Sequence, residues 1–176
     1  MKRCKPSLLA SDSMTAKRNL ACGWMLGLMV CSASAQAAPT PTLCQPDETV
    51  WFSCRIGQAK TVSLCGTPQT LQYRFGTPQR VELQYPKVAT NGFTSFSWGH
   101  YSRSQVDRIQ IGFDNHGTTY AVFDYTEGKQ RDAGVEVNAT KQLHCTSAPQ
   151  SQLGKLKDKL PCDEDSALNL GHCPAQ

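Results

Sequence analysis

The sequence VDRIQIGFDNHGTTYAVFDY, residues 106–125, decides the fold class because it has the pattern of a β-hairpin. Ile109, Ile111 and Phe113 alternate with polar or small residues, so one face of a strand is apolar. The central DNHG is a turn signal, and TTYAVFDY is a returning strand of similar length. The stretch therefore predicts two paired antiparallel strands.

Segments of the same kind lie on both sides of this hairpin. Alternating patterns separated by turn residues every eight to twelve positions are typical of an antiparallel sheet or small barrel. We predict a mainly β domain of about seven to eight strands over residues 48–145, preceded by an extended lead-in at 38–47. An open sheet, a sandwich and a barrel all fit this pattern. The predicted strands besides the hairpin are 50–55, 60–66, 71–75, 80–85, a weaker one at 93–98, and 135–140 with 142–145 as one last strand.

The chain after Cys145 has a different texture. Ser147 is a candidate helix N-cap, and leucines follow at spacings of three and four before Pro161. This pattern predicts a C-terminal helix. With the Cys-bounded tail that follows, residues 146–176 are expected to pack on the same domain.

The N-terminus has the features of a signal peptide. Lys17 and Arg18 precede an apolar core, and small residues close the stretch with an A-x-A cleavage pattern that ends at Ala37. The core is too short for a transmembrane helix, so we expect no transmembrane segment once residues 1–37 are removed. Met14 would start a leader of ordinary length. These features predict a periplasmic or secreted protein.

Removal of the leader changes the charge balance. Residues 1–37 hold five of the 18 basic residues and one of the 14 acidic residues, so 13 of each remain. A neutral chain gives no electrostatic argument for binding nucleic acid or an anionic membrane.

The leader also holds three of the nine cysteines, which leaves an even number in an exported chain and predicts three disulfides. Their pairing is open; Cys54 and Cys65 lie on adjacent predicted strands and form one candidate pair. Without a C-x-x-C motif, we do not expect a metal–thiolate site. The expected disulfide cysteines are Cys44, Cys54, Cys65, Cys145, Cys162 and Cys173.

The stretch SFSWGHYSRS, residues 95–104, combines aromatic, basic and hydroxyl side chains. Aromatic residues and arginine dominate the energetics of protein interfaces, so one interpretation is a recognition loop for a protein partner. The alternative is a strand and turn with Phe96, Trp98 and Tyr101 in the core. The candidate binding residues are Ser97, Trp98, His100, Tyr101 and Arg103.

Chemical sites are less well supported by the sequence. Ser97, His100 and Asp107 have the residue types of a hydrolase triad, but alternation along a strand does not point them together. His144 and His172 are weak metal candidates. A Cys145–Cys173 bridge would bring these two imidazoles close, with Asp163 or Asp165 nearby as a further ligand. We expect no catalytic residue and no cofactor.

Three stretches carry a resemblance to an uncharacterised family of small exported, disulfide-bonded bacterial proteins. They are FSCRIGQAKTVSLCG at 52–66, LQYRFGTPQRVELQYP at 71–86 and PCDEDSALNLGHC at 161–173; with 103–125 they extend over most of residues 48–173. The resemblance implies export and a disulfide-stabilised fold, and it carries no catalytic motif.

A second resemblance rests on residues 97–101. Periplasmic lysozyme inhibitors carry a Ser-Gly-x-x-Tyr loop that enters the lysozyme cleft. The sequence Ser-Trp-Gly-His-Tyr is similar to this loop in residue types, but a tryptophan separates its serine from its glycine.

These observations favour an exported, non-enzymatic binding protein, with an inhibitor of a cell-wall hydrolase such as lysozyme (a muramidase) as the specific hypothesis. One alternative is a metal-binding or enzymatic envelope protein that uses surface histidines. Another is a purely structural envelope component. The histidines considered for the first alternative are His100, His116, His144 and His172.

Overall fold

The computed structural model describes residues 41–89 and 92–173, which form two antiparallel sheets of five strands each. The predicted signal peptide at 1–37, including Met14, lies outside the described residues, as does the beginning of the lead-in. Within the described ranges, no helix is long and apolar enough to cross a membrane. The mainly β, antiparallel fold class is confirmed.

The second sheet is a meander, in which strands consecutive in sequence are neighbours, and the first is a four-stranded meander whose β1 edge is extended by β10 from far along the chain. The first has the order β10-β1-β2-β3-β4 and the second the order β5-β6-β7-β8-β9. The strands are β1 Thr49–Ile56, β2 Lys60–Thr67, β3 Thr70–Thr77, β4 Arg80–Tyr85, β5 Ser97–Arg103, β6 Val106–Asn115, β7 Thr118–Glu127, β8 Gln130–Val137, β9 Lys141–His144 and β10 Gln150–Ser151.

The described residues thus form ten strands, more than the seven to eight expected. The last predicted strand is two, β8 and β9, joined by a turn at 138–140. The weak candidate at 93–98 is a 3-10 helix, Gly92–Ser95, followed by β5.

The hairpin at 106–125 is confirmed as β6 and β7, paired from Val106↔Glu127 to Asn115↔Thr118. The two turn residues His116 and Gly117 both have positive φ, 56° and 81°. Positive φ at both central positions matches the turn to the right-handed twist of the strands.

One core lies between the inner faces of the two sheets. Phe113 of β6 stacks on Tyr85 of β4 at 4.5 Å between ring centroids and on Tyr120 of β7 at 4.9 Å. Tyr73 of β3 contacts the same ring at 5.0 Å. The largest fully buried side chains also come from both sheets, among them Phe52, Leu64 and Ile111.

The predicted C-terminal helix is wrong. The described residues there form only 3-10 helices, Leu153–Leu156 and Ala167–Asn169, and Gln150–Ser151 is a strand paired with the edge of β1. Leu153, Leu156 and Leu160 are buried, as their spacing indicated. A short isolated helix is marginal, whereas the free edge of β1 offers backbone partners to the same segment.

Three disulfides form between described cysteines: Cys44–Cys65, Cys54–Cys145 and Cys162–Cys173. The candidate pair Cys54–Cys65 is therefore wrong. In the β1–β2 register Cys54 lies opposite Val62, three residues from Cys65. An odd separation places the two cysteines on opposite faces of the sheet.

Candidate functional site

The predicted recognition loop is strand β5, and its alternation separates the candidate residues. Trp98 points into the core, where it is 6 % exposed. His100 lies on the same inner face, whereas Ser97 and Tyr101 lie on the outer face of the second sheet. Arg103 is exposed at the end of the strand. These residues therefore do not form one surface.

His100 belongs to a small polar cluster at one end of the core. Its Nε2 atom is 2.7 Å from Asp107 Oδ1, and both residues line a cavity of about 220 Å³ with Asp124 and Arg131. Arg131 donates two hydrogen bonds of 2.8 and 2.7 Å to Asp124, which raise the pKa of the guanidinium. The charged groups of this cluster already have partners.

Ser97 makes a separate interaction. Its hydroxyl donates to Asp163 Oδ2 at 3.3 Å, on the side of the sheet opposite to His100. The triad of Ser97, His100 and Asp107 is thus not assembled, for the reason the alternation indicated.

The free edge of β5 is covered by the disulfide-closed loop Cys162–Cys173, which we call the tail loop. Trp98 N–H donates to Pro161 O and Trp98 O accepts from Asp163 N–H, both at 2.9 Å. These bonds form a short parallel bridge between Trp98 and Cys162. The tail loop therefore satisfies backbone groups that an edge strand leaves unpaired.

A glycine permits this close contact. A Cβ at Gly99 would lie 2.2 Å from the Oγ of Ser166 in the tail loop. Ser166 is buried, accepts a 2.8 Å hydrogen bond from Gln110 Nε2, and caps the following 3-10 helix by accepting from Leu168 N–H. Position 99 thus admits the tail loop onto the sheet because it has no side chain.

A groove of about 700 Å³ lies between the tail loop and the outer face of the second sheet, and we call it the acidic groove. Gly112, Ala121 and Glu136 lie side by side on β6, β7 and β8 and contribute to its surface. Small residues at the first two positions leave the middle of the sheet open. Residues 165–168 and Asp163 line the groove from the tail loop.

Four carboxylates line the acidic groove: Asp114, Glu136, Asp163 and Asp165. The described residues that line it include no lysine, arginine or histidine. Within the described part of the chain, none of these carboxylates forms a salt bridge. The groove thus concentrates negative charge in a chain whose basic and acidic residues balance after the predicted leader.

Tyr125 lies in the wall of the groove and reports on this charge. Burial, together with the charge of Glu136, raises the pKa of Tyr125 to about 12, although Arg108 opposes the shift. The phenol donates to Gln110 Oε1 at 3.0 Å, and Gln110 in turn donates to Ser166. A chain of hydrogen bonds therefore connects the groove wall to the tail loop.

The weak metal candidates are not brought together by the predicted bridge, because Cys145 pairs with Cys54 and Cys173 with Cys162. His144 Nδ1 is 2.8 Å from Asp132 Oδ1, and His172 is exposed in the tail loop. Among the described residues, three potential metal ligands meet only at Cys44, Glu48 and Cys65. Two of these are joined in a disulfide.

Comparison of the chain with known protein families, curated proteins and solved structures finds no match.

Ser97 lines the groove and was predicted from the sequence as a binding residue, but most of the other groove residues were not predicted as a site. Gly112 and Ala121 interrupt an otherwise regular outer face, and this small-residue pair was the available signal. The acidic residues at 163–165 were visible in the sequence, yet only the docking of the tail loop places them opposite Glu136.

Proposed function

We propose that this chain is an exported, non-enzymatic binding protein whose acidic groove receives a cationic segment of a protein partner. Its specific form is inhibition of a cell-wall hydrolase, a muramidase of basic isoelectric point. Export and membership of the family of small disulfide-bonded bacterial proteins are part of the same proposal.

The observation that carries the proposal is the set of four carboxylates around one groove with no basic side chain lining it among the described residues. Carboxylates held at a concave surface attract lysine and arginine, steer encounter and select the partner by charge. Tyr101 and Tyr125 on the same outer face add aromatic contact area.

The surrounding structure supports a binding role by keeping the groove rigid. The Cys162–Cys173 disulfide closes the tail loop, and Ser166 and Asn169 are buried against the sheet. A preformed site loses less conformational entropy on binding than a flexible one. Rigidity supports the inhibitor hypothesis because an inhibitor must stay bound to the enzyme while the substrate competes for it.

The test is the binding of the exported, oxidised protein to purified basic muramidases, with lysis of peptidoglycan as the second readout. The double variant Glu136→Gln/Asp165→Asn removes two groove charges while retaining the shapes of the side chains. We expect it to weaken binding by roughly tenfold at low salt, since exposed or half-exposed ion pairs contribute up to about 1 kcal/mol each. Inhibition of lysis should fall in parallel.

The matched control is Asp47→Asn/Asp158→Asn, which makes the same change of net charge at exposed positions outside the groove. It should bind like the original protein. Equal weakening by both double variants would point to non-specific attraction and contradict the groove. If the folded protein neither binds nor inhibits any basic muramidase, the inhibitor hypothesis is wrong.

A further inference from the structure

Leu170 in the tail loop combines exposure with an unfavourable backbone conformation. Its side chain is 68 % exposed, and its φ and ψ angles are 51° and 31°, in the left-handed region. Residues with a Cβ are disfavoured there, and glycine or asparagine is the usual choice after a helical turn. Position 170 therefore combines an exposed apolar side chain with a disfavoured backbone conformation.

The backbone around Leu170 is held in place from both sides. The neighbouring Asn169 is 7 % exposed, and its side chain donates to Trp98 O at 3.1 Å and to Asp163 O at 2.6 Å. Its Oδ1 accepts from His100 N–H at 2.9 Å. The Cys162–Cys173 disulfide closes the same loop. Strain that persists in a well-determined segment is a pointer to function.

The other large exposed apolar side chains lack this combination. Val88 is 69 % exposed and Val81 is 42 % exposed, but neither has a positive φ. Both lie outside the tail loop. Isolated exposed apolar residues of this kind need no functional explanation.

The charge of the tail loop that carries Leu170 indicates the kind of partner that fits. The loop contains Asp163, Glu164 and Asp165, and two of these line the acidic groove. Asn169, next to Leu170, donates to the backbone of Asp163. A loop that carries both an apolar tip and acidic groups complements an apolar pocket bordered by cationic side chains. Interfaces often combine one apolar anchor with a polar surround in this way.

We propose that Leu170 is an apolar anchor that enters a pocket of a basic protein partner, beside the cationic segment received by the acidic groove. This inference rests on the proposed function, because it assigns a second contact to the same partner. The loop presents the leucine already ordered, so little conformational entropy is lost when it binds. The partner is a basic protein with an apolar pocket next to its cationic segment.

The test uses the exported, oxidised full chain and a basic muramidase that the original protein binds. Leu170→Asn removes the apolar side chain but tolerates the left-handed backbone, so the unfolding temperature should not fall. We expect binding to weaken by about tenfold or more, mainly through faster dissociation and independently of salt. Leu170→Met keeps an apolar tip and should retain most of the affinity.

The control Val88→Asn makes the same kind of change at an equally exposed position of the first-sheet region and should leave binding unchanged. Leu170→Gly guards against an effect of asparagine itself and should behave like Leu170→Asn. Unaltered binding by folded Leu170→Asn and Leu170→Gly, while the Glu136→Gln/Asp165→Asn variant is weakened, would overturn the anchor and leave the proposed function intact. If the original protein binds no basic muramidase, both proposals fail for this partner class.

Discussion

The two sheets share one core, but different segments of the chain lie on their outer faces and cover them to different extents. Residues 41–48 lie on the outer face of β1 to β3: Leu43 N–H donates to Ser63 Oγ at 2.9 Å, and Ser53 Oγ donates to Pro41 O at 2.7 Å. On the second sheet the tail loop docks along β5, and the acidic groove opens beside it. The first outer face is therefore closed over β1 to β3, whereas the second carries an open groove.

The chemistry of the two faces follows this difference. On the covered face, Arg74 forms a bidentate ion pair with Glu48, and the side chains are 9 % and 11 % exposed. In the groove, Asp114, Glu136 and Asp163 accept hydrogen bonds from hydroxyl, amide or backbone groups, and none of the four carboxylates forms a salt bridge among the described residues. Charge is neutralised by an internal ion pair on the closed face, whereas the groove carboxylates form no salt bridge among the described residues. The first sheet therefore carries the buried ion pair, and the second carries the groove to which we propose binding.

The largest effect is expected from breaking the covalent link between the sheet regions. Cys54 is fully buried in β1 and pairs with Cys145 directly after β9, closing a sequence separation of 91 residues. Replacing both cysteines with alanine should lower the free energy of unfolding by about 4 kcal/mol, because a long loop gains the most entropy when released. Urea unfolding of the variant and the original protein measures this difference.

The control is Cys162→Ala/Cys173→Ala, which opens a separation of only 11 residues. Its loss of unfolding free energy should be smaller, about 2–3 kcal/mol by the same loop-length argument. A larger loss for the tail-loop pair would contradict the view that the two sheets form one cooperative unit and that the tail loop is a local addition.

A smaller effect is expected from opening the covered face. Arg74→Met leaves the Glu48 carboxylate largely buried without its partner and should cost about 3 kcal/mol. Lys60→Met removes one partner of the exposed Lys60–Glu82 pair and should cost less than about 1 kcal/mol. Similar losses in urea unfolding for the two variants would mean that residues 41–48 do not exclude water from this face.

The same pair predicts how stability depends on pH. Burial alone would raise the pKa of Glu48, but hydrogen bonds from Arg74 and Gln45 N–H, with the charge of Arg74, hold it below its ordinary value. A lowered pKa in the folded state stabilises the protein above the unfolded-state pKa, and this stability is lost as pH falls through the folded value. The difference between Arg74→Met and the original protein should therefore shrink in acid.

How far the sequence predicts these two regions depends on the range of the interactions. The β6–β7 hairpin is encoded locally by alternation and a DNHG turn, so its strands could be predicted. The covered face and the groove depend on segments that return from far along the chain. Ser63 meets Leu43, and Gly99 meets Ser166, through contacts that no local pattern encodes.

The error in the C-terminal segment has the same origin. Its leucines are spaced as in a helix and are buried, yet the edges of β1 and β5 provide backbone partners that a helix would not use. For residues 95–104, composition allowed either a recognition loop or a strand and turn, and only pairing with β6 shows a strand that distributes its side chains over two faces.

The smallest effect is expected from removing a charge in the open groove. It should change the pKa of Tyr125 and leave stability at neutral pH unchanged. Because Glu136 raises the pKa of Tyr125, Glu136→Gln should lower it from about 12. Asp132 acts in the same direction as a lesser cause, so Asp132→Asn should lower the pKa by a smaller amount. NMR titration of labelled tyrosine, assigned with Tyr125→Phe, measures both shifts, with Glu82→Gln as a control on the first sheet.

The sign of the linked stability follows from the raised pKa. The neutral phenol is favoured in the folded protein, so its contribution is complete below the ordinary tyrosine pKa and is lost as pH rises towards the folded value. Glu136→Gln should shift the end of this loss to lower pH. An unchanged Tyr125 titration in that variant would show that the Glu136 charge does not extend across the groove. The contrast between a neutralised first face and a charged second face would then have to rest on Asp114 and the tail-loop carboxylates.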